Sequence, residues 1–437
     1  MSELPKGWVN AKIREVCNLV NGHAFKPTEW TDSGLPIVRI QNLNNLKAPF
    51  NHYNGEVQDK FLINNGQLLF AWSGTPGTSF GAHVWDRGKA VLNQHIFKIQ
   101  FNEELIDKSY LRYAINQRLQ DLIDMAHGGV GLRHVTKGKF ENTEIALPPT
   151  GEQHRIVIKL DSLFERTRSA REELSHIPHL IEHYKQAILA QAFDTRPRVQ
   201  KVPLRQLAKE DRGIPYGIVQ TGTPHKGGIP TVRAGDIKDH EIRIADLKLV
   251  SPEIEASYDR TRLRGREVII SIRGTVGNPA IIPMEMRGCN ISREVAMIPV
   301  IDEVDPEFVM YYLSTPFAQE FIGAHIKGVA QSGINLRDLR ELPTPKMSVG
   351  EQRKVLTVVK HAFEWLRHIE VEHSAAIGLL PRLDQAISDK AFRGELVPQG
   401  SDDEPASVLL DRIRTERAAQ PKPKRGRRKA RSKAAVY

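Results

Sequence analysis

The strongest constraint on this chain is that its sequence repeats itself in order. Gly151-Glu152-Gln153 returns as Gly350-Glu351-Gln352, 199 positions later. The same offset pairs Ile156 with Val355, Leu160 with Val359, Phe164 with Phe363, Ala187-Ile188 with Ala386-Ile387 and Ala192-Phe193 with Ala391-Phe392. Upstream, with small insertions, Val38-Arg39 matches Val232-Arg233, and Gly66-Gln67-Leu68-Leu69-Phe70 resembles Gly265-Arg266-Glu267-Val268-Ile269. Ser73-Gly74-Thr75-Pro76-Gly77 resembles Arg273-Gly274-Thr275-Val276-Gly277, and Asn93 falls near Asn290. An ordered set of this kind reads as two copies of one unit, each a globular part followed by a helix. At 437 residues there is room for two or three domains.

Within each copy the hydrophobic period changes. Short apolar runs such as Pro36-Ile37-Val38-Arg39-Ile40, Gln67-Leu68-Leu69-Phe70-Ala71 and Glu267-Val268-Ile269-Ile270-Ser271 are bounded by Gly, Pro, Asn and Asp, which predicts strands and turns in a twisted, mainly antiparallel sheet. Helical stretches follow near 104–125 and 305–324. Each globular part then gives way to a heptad pattern. In the first copy it is Ile156, Leu160, Leu163, Thr167, Ala170, Leu174, Ile177, Ile181, Tyr184 and Ile188; in the second it is Val355, Val359, Ala362, Leu366, Ile369, His373, Ala376, Leu380, Leu383 and Ile387. Steps of four and three over so many turns predict coiled-coil seams, and the repeat predicts that the two seams pack antiparallel. A helix over 152–193 spans roughly 60 Å. Thr150-Gly151-Glu152-Gln153 and Ser348-Val349-Gly350-Glu351 resemble capped helix starts. Pro178 and Pro381 are expected to kink or divide the rods. His373, on the seam, reads as a packed or hydrogen-bonded histidine.

Charge narrows the function less than its total suggests. The net charge is +10, but Lys422, Lys424, Arg425, Arg427, Arg428, Lys429, Arg431 and Lys433 supply eight of those charges in one tail. Such a tail holds phosphate without reading sequence. Two distant cysteines, Cys17 and Cys289, make neither a disulfide framework nor a zinc site. With no apolar run of membrane-spanning length and no signal-peptide pattern at Met1-Ser2-Glu3-Leu4, a cytoplasmic protein is expected.

Leu147-Pro148-Pro149, Gly151-Glu152-Gln153-His154-Arg155-Ile156, Lys159-Leu160-Asp161-Ser162-Leu163-Phe164, Ala391-Phe392-Arg393-Gly394-Glu395-Leu396-Val397-Pro398-Gln399 and Glu404-Pro405-Ala406-Ser407-Val408-Leu409-Leu410 together carry a resemblance. Up to about residue 417 the chain resembles the DNA-specificity subunits of type I restriction–modification enzymes. The resemblance implies an α+β fold. Two pseudo-two-fold-related mixed α/β target-recognition domains are separated by two long antiparallel coiled-coil helices. The corresponding division is 1–150 for the first recognition domain, 151–197 for the central helix and 198–346 for the second recognition domain. It continues with 347–398 for the distal helix, 399–419 for a C-terminal conserved segment and 420–437 for a basic tail that the family does not explain. The implied partners are double-stranded DNA carrying a split asymmetric site, two methyltransferase subunits and two restriction/translocase subunits, with no membrane. S-adenosylmethionine, ATP and Mg are expected in those partner subunits, and no cofactor in this chain.

The residues themselves speak against chemistry. Pro148-Pro149 sits between Leu147 and Thr150, not in the Asn/Asp-Pro-Pro-aromatic setting of an adenine methyltransferase, and no phosphate-cradling Gly-x-x-x-x-Gly-Lys-Ser/Thr occurs. Asp236-Ile237-Lys238 and Asp246-Leu247-Lys248 hold only the acid-x-lysine part of a nuclease site and read as surface loop charges. The alternatives, a fused enzyme or a coiled-coil scaffold without DNA, are separable by methyl-donor binding and by footprinting. A sequence reader needs polar groups at base edges and cations at phosphates. In the first copy the strand ends offer Arg39, Gln41, Asn42, Ser73, Gly74, Thr75, Asn93, Gln94 and His95, with Arg133 and His134 after the Gly128-Gly129-Val130-Gly131 stretch. In the second they offer Arg233, Asp236, Ser271, Arg273, Thr275, Asn290, Ser292, Arg293, Lys327, Gln331 and Ser332. Ser73 against Arg273 and Gln94 against Ile291 differ, so the two copies are expected to read different half-sites.

Overall fold

The computed structural model describes residues 4–45, 47–74, 79–124, 133–194, 199–328 and 332–419. Thr75, Gln331, the 128–131 glycine stretch and the 420–437 tail therefore lie outside the described residues. The chain divides into two compact units, Met1–Arg171 with Gly378–Tyr437, and Glu172–Ile377.

In the first unit the apolar run Gln67–Ala71 is a central strand, flanked by Gly81–Trp85 and Ile96–Gln100, with Asn18–Asn21 beyond, all antiparallel. Side chains alternate across a strand. Leu68 and Phe70 enter one core with Phe97, Tyr110 and Phe140, whereas Leu69 and Ala71 enter another with Ile63, Trp85 and Leu92. Both faces are buried, which is why the run lacks polar alternation. The second unit repeats this: Val268 and Ile270 of strand Val268–Ser271 face one core, Ile269 the other. A second sheet in each unit, with as many strands as the first, contains the parallel pair that mainly antiparallel grammar did not anticipate. Leu35–Val38 runs parallel to Ala90–Leu92, and Ile229–Val232 parallel to Asn290–Ile291. Helices Lys108–Gln117 and Leu119–Asp124, and Pro306–Leu313 and Pro316–Ala324, fall where expected. The segment Ala406–Ala419 packs Leu409, Leu410 and Ile413 into the first unit's core beside Trp8 and Ile13.

A two-stranded ribbon leads into each long helix: Val9–Lys12 with Glu144–Leu147 before Thr150–Asp194, and Lys201–Pro203 with Pro343–Pro345 before Val349–Phe392. The repeated glutamines lock these joints. Gln153 Nε2 donates to the Pro148 carbonyl at 3.0 Å, and its Oε1 accepts the Asp107 N–H at 3.0 Å. Gln352 Nε2 donates to Met347 (2.9 Å) and Glu303 (3.0 Å), and its Oε1 accepts the Asp305 N–H at 2.8 Å. At the second start Ser348 and Glu351 form the reciprocal cap. At the first, Thr150 does not cap; its hydroxyl donates to the Leu105 carbonyl at 3.2 Å instead.

Both long helices run unbroken through Pro178 and Pro381. Proline removes the N–H that would serve the carbonyl four residues earlier, here Leu174. His373 Nε2 of the second helix donates to that carbonyl at 2.8 Å. The pairing is antiparallel within each unit: Ile156 and Leu160 share a core with Ile387 and Ala391, and Leu189 shares one with Val355 and Val359. Of the expected seam, Ile156, Leu160, Thr167, Ile181, Val355, Val359, Leu366, Leu380 and Ile387 are buried, and Leu163, Leu174, Ile177, Ile188 and Ile369 half-buried. Tyr184 and Leu383 depart from it, at 58% and 47% exposure. A straight helix drifts about 20° per heptad against a 3.5-residue repeat. Just after each proline the inner face therefore moves one residue on, to Lys185 and Asp384.

Replacing Gln352 with Ala leaves the Asp305 N–H and two carbonyls without partners, and should cost about 1–3 kcal/mol, read as a lower denaturant midpoint. His240 is packed against Tyr311 and Phe363, with Nε2 2.8 Å from Ser314 Oγ. Burial, then the charge of Lys185, lowers its pKa below the ordinary 6.5. The fold thus favours the neutral ring, so this stability is complete above 6.5 and declines as pH falls toward the lowered folded value. Melting temperature should be lower at pH about 5.5 than at 7.5, and His240→Gln should narrow that gap.

Candidate nucleic-acid interface

Parallel pairing brings the loops together. Because Val38 pairs with Leu92, the next residues, Arg39 and Asn93, leave the sheet at the same end, and Asn93 N–H donates to the Val38 carbonyl at 3.1 Å. The second unit repeats the contact with Ser292 N–H and the Val232 carbonyl at 2.8 Å. A glycine permits the close crossing beside it in each copy. A Cβ on Gly22 would lie 2.0 Å from the Asn93 carbonyl oxygen, and one on Gly217 1.8 Å from that of Ile291. Sequence reading passed over both glycines.

In the first unit, Ser73–Gly74 pairs with Arg133–His134, placing His134 opposite Ser73. Trp72, also missed, joins the parts. Its ring centroid lies 5.2 Å from that of His95 and 6.0 Å from that of His134. Its position directly before Ser-Gly was the available signal. Gln94 Nε2 meets His95 Nε2 at 3.3 Å. Burial lowers the pKa of His95, and the neighbouring His134 and Arg39 push the same way, so the ring is neutral near pH 7. Arg39 lies over Trp30 at 5.2 Å and donates to Asn51 Oδ1 at 3.1 Å. Arg39, Gln94, His95 and His134 thus converge from three loops, while Gln41 is exposed on the turn after Arg39.

Several candidates prove to be internal. Asn42 is buried; its Oδ1 accepts the Arg39 N–H and its amide donates to Ala48 and Pro49. Ser73 is buried in its strand. Asn290 is fully buried and engaged with Thr261, Glu255, Tyr258 and the Ile291 N–H. Ser271 donates to the Thr275 carbonyl and accepts the Asn278 N–H, and Ser292 accepts the Glu294 N–H. Asp236 is not a surface loop charge. It is buried in a two-pronged pair with Arg233, at 2.8 and 3.0 Å, which occupies that guanidinium too. Asn and Ser at strand ends are turn-formers, and here that role accounts for them.

The remaining candidates of the second unit are mostly cationic, with Arg273 and Lys327 exposed and Arg293 half-buried, and Lys327 Nζ lies 3.7 Å from Asp338 Oδ2. Arg273 bridges to Gly333, which also pairs with Lys327, and the Arg273 N–H reaches the carbonyl of Glu294, next to Arg293. Among the described residues the Arg273 and Arg293 guanidiniums have no hydrogen-bond or ion-pair partner. Thr275 and Ser332 are exposed beside them. Gly274 holds a left-handed φ of 74°, so its part is conformational. Two equivalent strand-end sites therefore present different groups: a His/Trp/Gln/Arg cluster in one unit, two arginines and a lysine in the other. Among the described residues no helix is long and apolar enough to cross a membrane.

A family profile described as "Type I restriction modification DNA specificity domain" matches residues 5–179. The EcoBI specificity subunit of Escherichia coli is 30% identical, across 97% of this chain and 95% of that protein. The EcoKI specificity subunit of Escherichia coli K12 is 24% identical, across 98% and 99%. Among solved structures, the HsdS subunit from Thermoanaerobacter tengcongensis superposes with a TM-score of 0.59 at 22% identity, covering 90% of this chain and 98% of that one. A chain from a structural study of type I R-M complex assembly and conformational transition gives 0.69 at 22% identity, covering 90% and 100%. With the duplicated frame, the antiparallel helix pair and near full-length similarity in agreement, this chain belongs to the DNA-specificity subunits of type I restriction enzymes.

Proposed function

We propose that the chain reads a bipartite, asymmetric DNA sequence, one half with each unit's strand-end loops, and performs no catalysis itself. The observation that carries this reading is the pairing of an equivalent frame with unlike polar side chains at the same strand ends, Arg273 exposed and Arg39, Gln94 and Arg293 half-buried. Arg39 and Gln94 in one copy, and Arg273 and Arg293 in the other, are the groups that suit base edges. Arginine pairs with guanine O6/N7, and glutamine with adenine N6/N7. Lys327, His134 and Gln41 suit phosphates or flanking edges.

The same reading gives the long helices a second task, docking two methyltransferase subunits, with two restriction/translocase subunits joining for cleavage. S-adenosylmethionine, ATP and Mg are then bound by those partners. Support comes from the two residues that left the seam. Leu180 and Tyr184 are exposed at 51% and 58%, and their equivalents Leu379 and Leu383 at 57% and 47%. Residues four apart share a helix face, so each copy offers an outward apolar pair in the same place.

Two measurements test these assignments. Mapping methylated adenines made by the assembled enzyme should show that Gln94→Ala relaxes one half-site and Arg273→Ala the other, each by about 1–3 kcal/mol of discrimination. Relaxation of one and the same half-site by both would refute the division of labour. Leu379→Glu/Leu383→Glu should reduce co-purification of the methyltransferase without lowering the melting temperature of the chain; unchanged co-purification would remove the docking assignment.

A further inference from the structure

Among the described residues, two ion pairs between the long helices are related by the repeat. Arg171 Nη2 meets Asp384 Oδ2 at 3.1 Å in the first unit, and Lys185 Nζ meets Glu370 Oε1 at 2.8 Å in the second. Under the 199-residue offset, Arg171 corresponds to Glu370 and Lys185 to Asp384. The pairs are therefore equivalent positions with every sign inverted, cations on the first helix and carboxylates on the second. Asp384 Oδ1 is buried without a hydrogen bond, so this carboxylate relies on Arg171.

We propose that these charges form a pairing code, by which the first helix accepts the second and rejects its own equivalent in another copy of the chain. In an antiparallel pair of two first helices, Arg171 would face the lysine at 185. In a pair of two second helices, Glu370 would face the aspartate at 384. Like charges at contact are unfavourable in both. The centre of the rod agrees independently. Leu174 and His373 are themselves equivalent positions, and only the mixed pair offers an imidazole to the carbonyl that Pro178 leaves free. Two first helices would bring leucine to leucine, with both carbonyls unserved. A duplicated chain needs such a device, because the similarity of its halves otherwise favours exchange between copies. This inference does not depend on which DNA is read.

The experiment is exchange between two differently tagged full-length copies made in one cell. In Lys185→Glu/Asp384→Lys, Arg171 faces a lysine and Glu370 a glutamate within the chain, while like helices from two copies become complementary. Capture of one tag through the other should rise about tenfold over wild type at low salt and fall back at ~0.5 M salt. The fourfold variant Arg171→Glu/Lys185→Glu/Glu370→Lys/Asp384→Arg keeps opposites together and should exchange no more than wild type. Equal exchange by all three chains overturns the proposal, as does exchange by the fourfold variant matching the double. If the double variant does not accumulate folded, melting decides. Arg171→Glu/Lys185→Glu, with acids on both helices, should melt about 2–4 °C below wild type at low salt, and the fourfold variant with wild type. Equal melting of the Arg171→Glu/Lys185→Glu chain and wild type overturns the proposal.

Discussion

The amide of a buried glutamine fixes how each long helix leaves its globular part. An amide has two N–H donors and a two-lone-pair acceptor, and once buried it must use them. Gln153 and Gln352 use both ends, giving to carbonyls of the incoming chain and taking an N–H from the loop that opens the short helix. A leucine would fill the volume and orphan the aspartate N–H; a glutamate would lack the donors. The orientation of the helix is thus tied to the sheet behind it by hydrogen bonds that an amide supplies, and two of them recur in both copies, with Gln352 adding a third to the Glu303 carbonyl.

Behind the joint, the central strands leave little freedom to vary. Leu68, Leu69 and Phe70, like Val268, Ile269 and Ile270, are wholly buried, with successive side chains in different cores. Substitution there makes cavities or overpacks. The strand ends carry no such burden once a few turn-formers hold the backbone. Trp72 in one copy and Ile272 in the other stand at the same place, one gathering histidines, the other closing a core. Burial is concentrated in the strands and difference at their ends, which is the arrangement that the proposed pair of unlike readers requires.

The sequence displayed the frame more clearly than the site. Repeats, apolar runs and heptads all report burial, and burial leaves a periodic trace. The parallel strand pairs left none, because register between distant segments has no local signature. Tyr184 and Leu383 fit the heptad but not the seam, because a 3.5-residue template cannot register drift in a real helix. The site was harder still. Asn290 and Asp236 have the chemistry of base readers, yet the same donors and acceptors serve a turn equally well. Tertiary packing alone separates Asn290, enclosed by Thr261 and Glu255, from Arg273, standing in solvent. Trp72 was legible in principle, but an aromatic at a strand end usually signals core.

The prolines show how a local rule can be right while its expected consequence fails. Pro178 does free a carbonyl, and an isolated helix would bend or open to let water reach it. Here the donor arrives from the other helix, at the residue equivalent to the one whose carbonyl was freed. The defect in one copy and its remedy in the other therefore occupy one position of the ancestral repeat, and neither is useful alone. The ion pairs follow the same logic, since each helix carries one sign where its counterpart carries the other. Divergence after duplication has acted at two places: at the strand ends, where it separates what each unit presents, and along the helices, where it makes each copy the other's required partner.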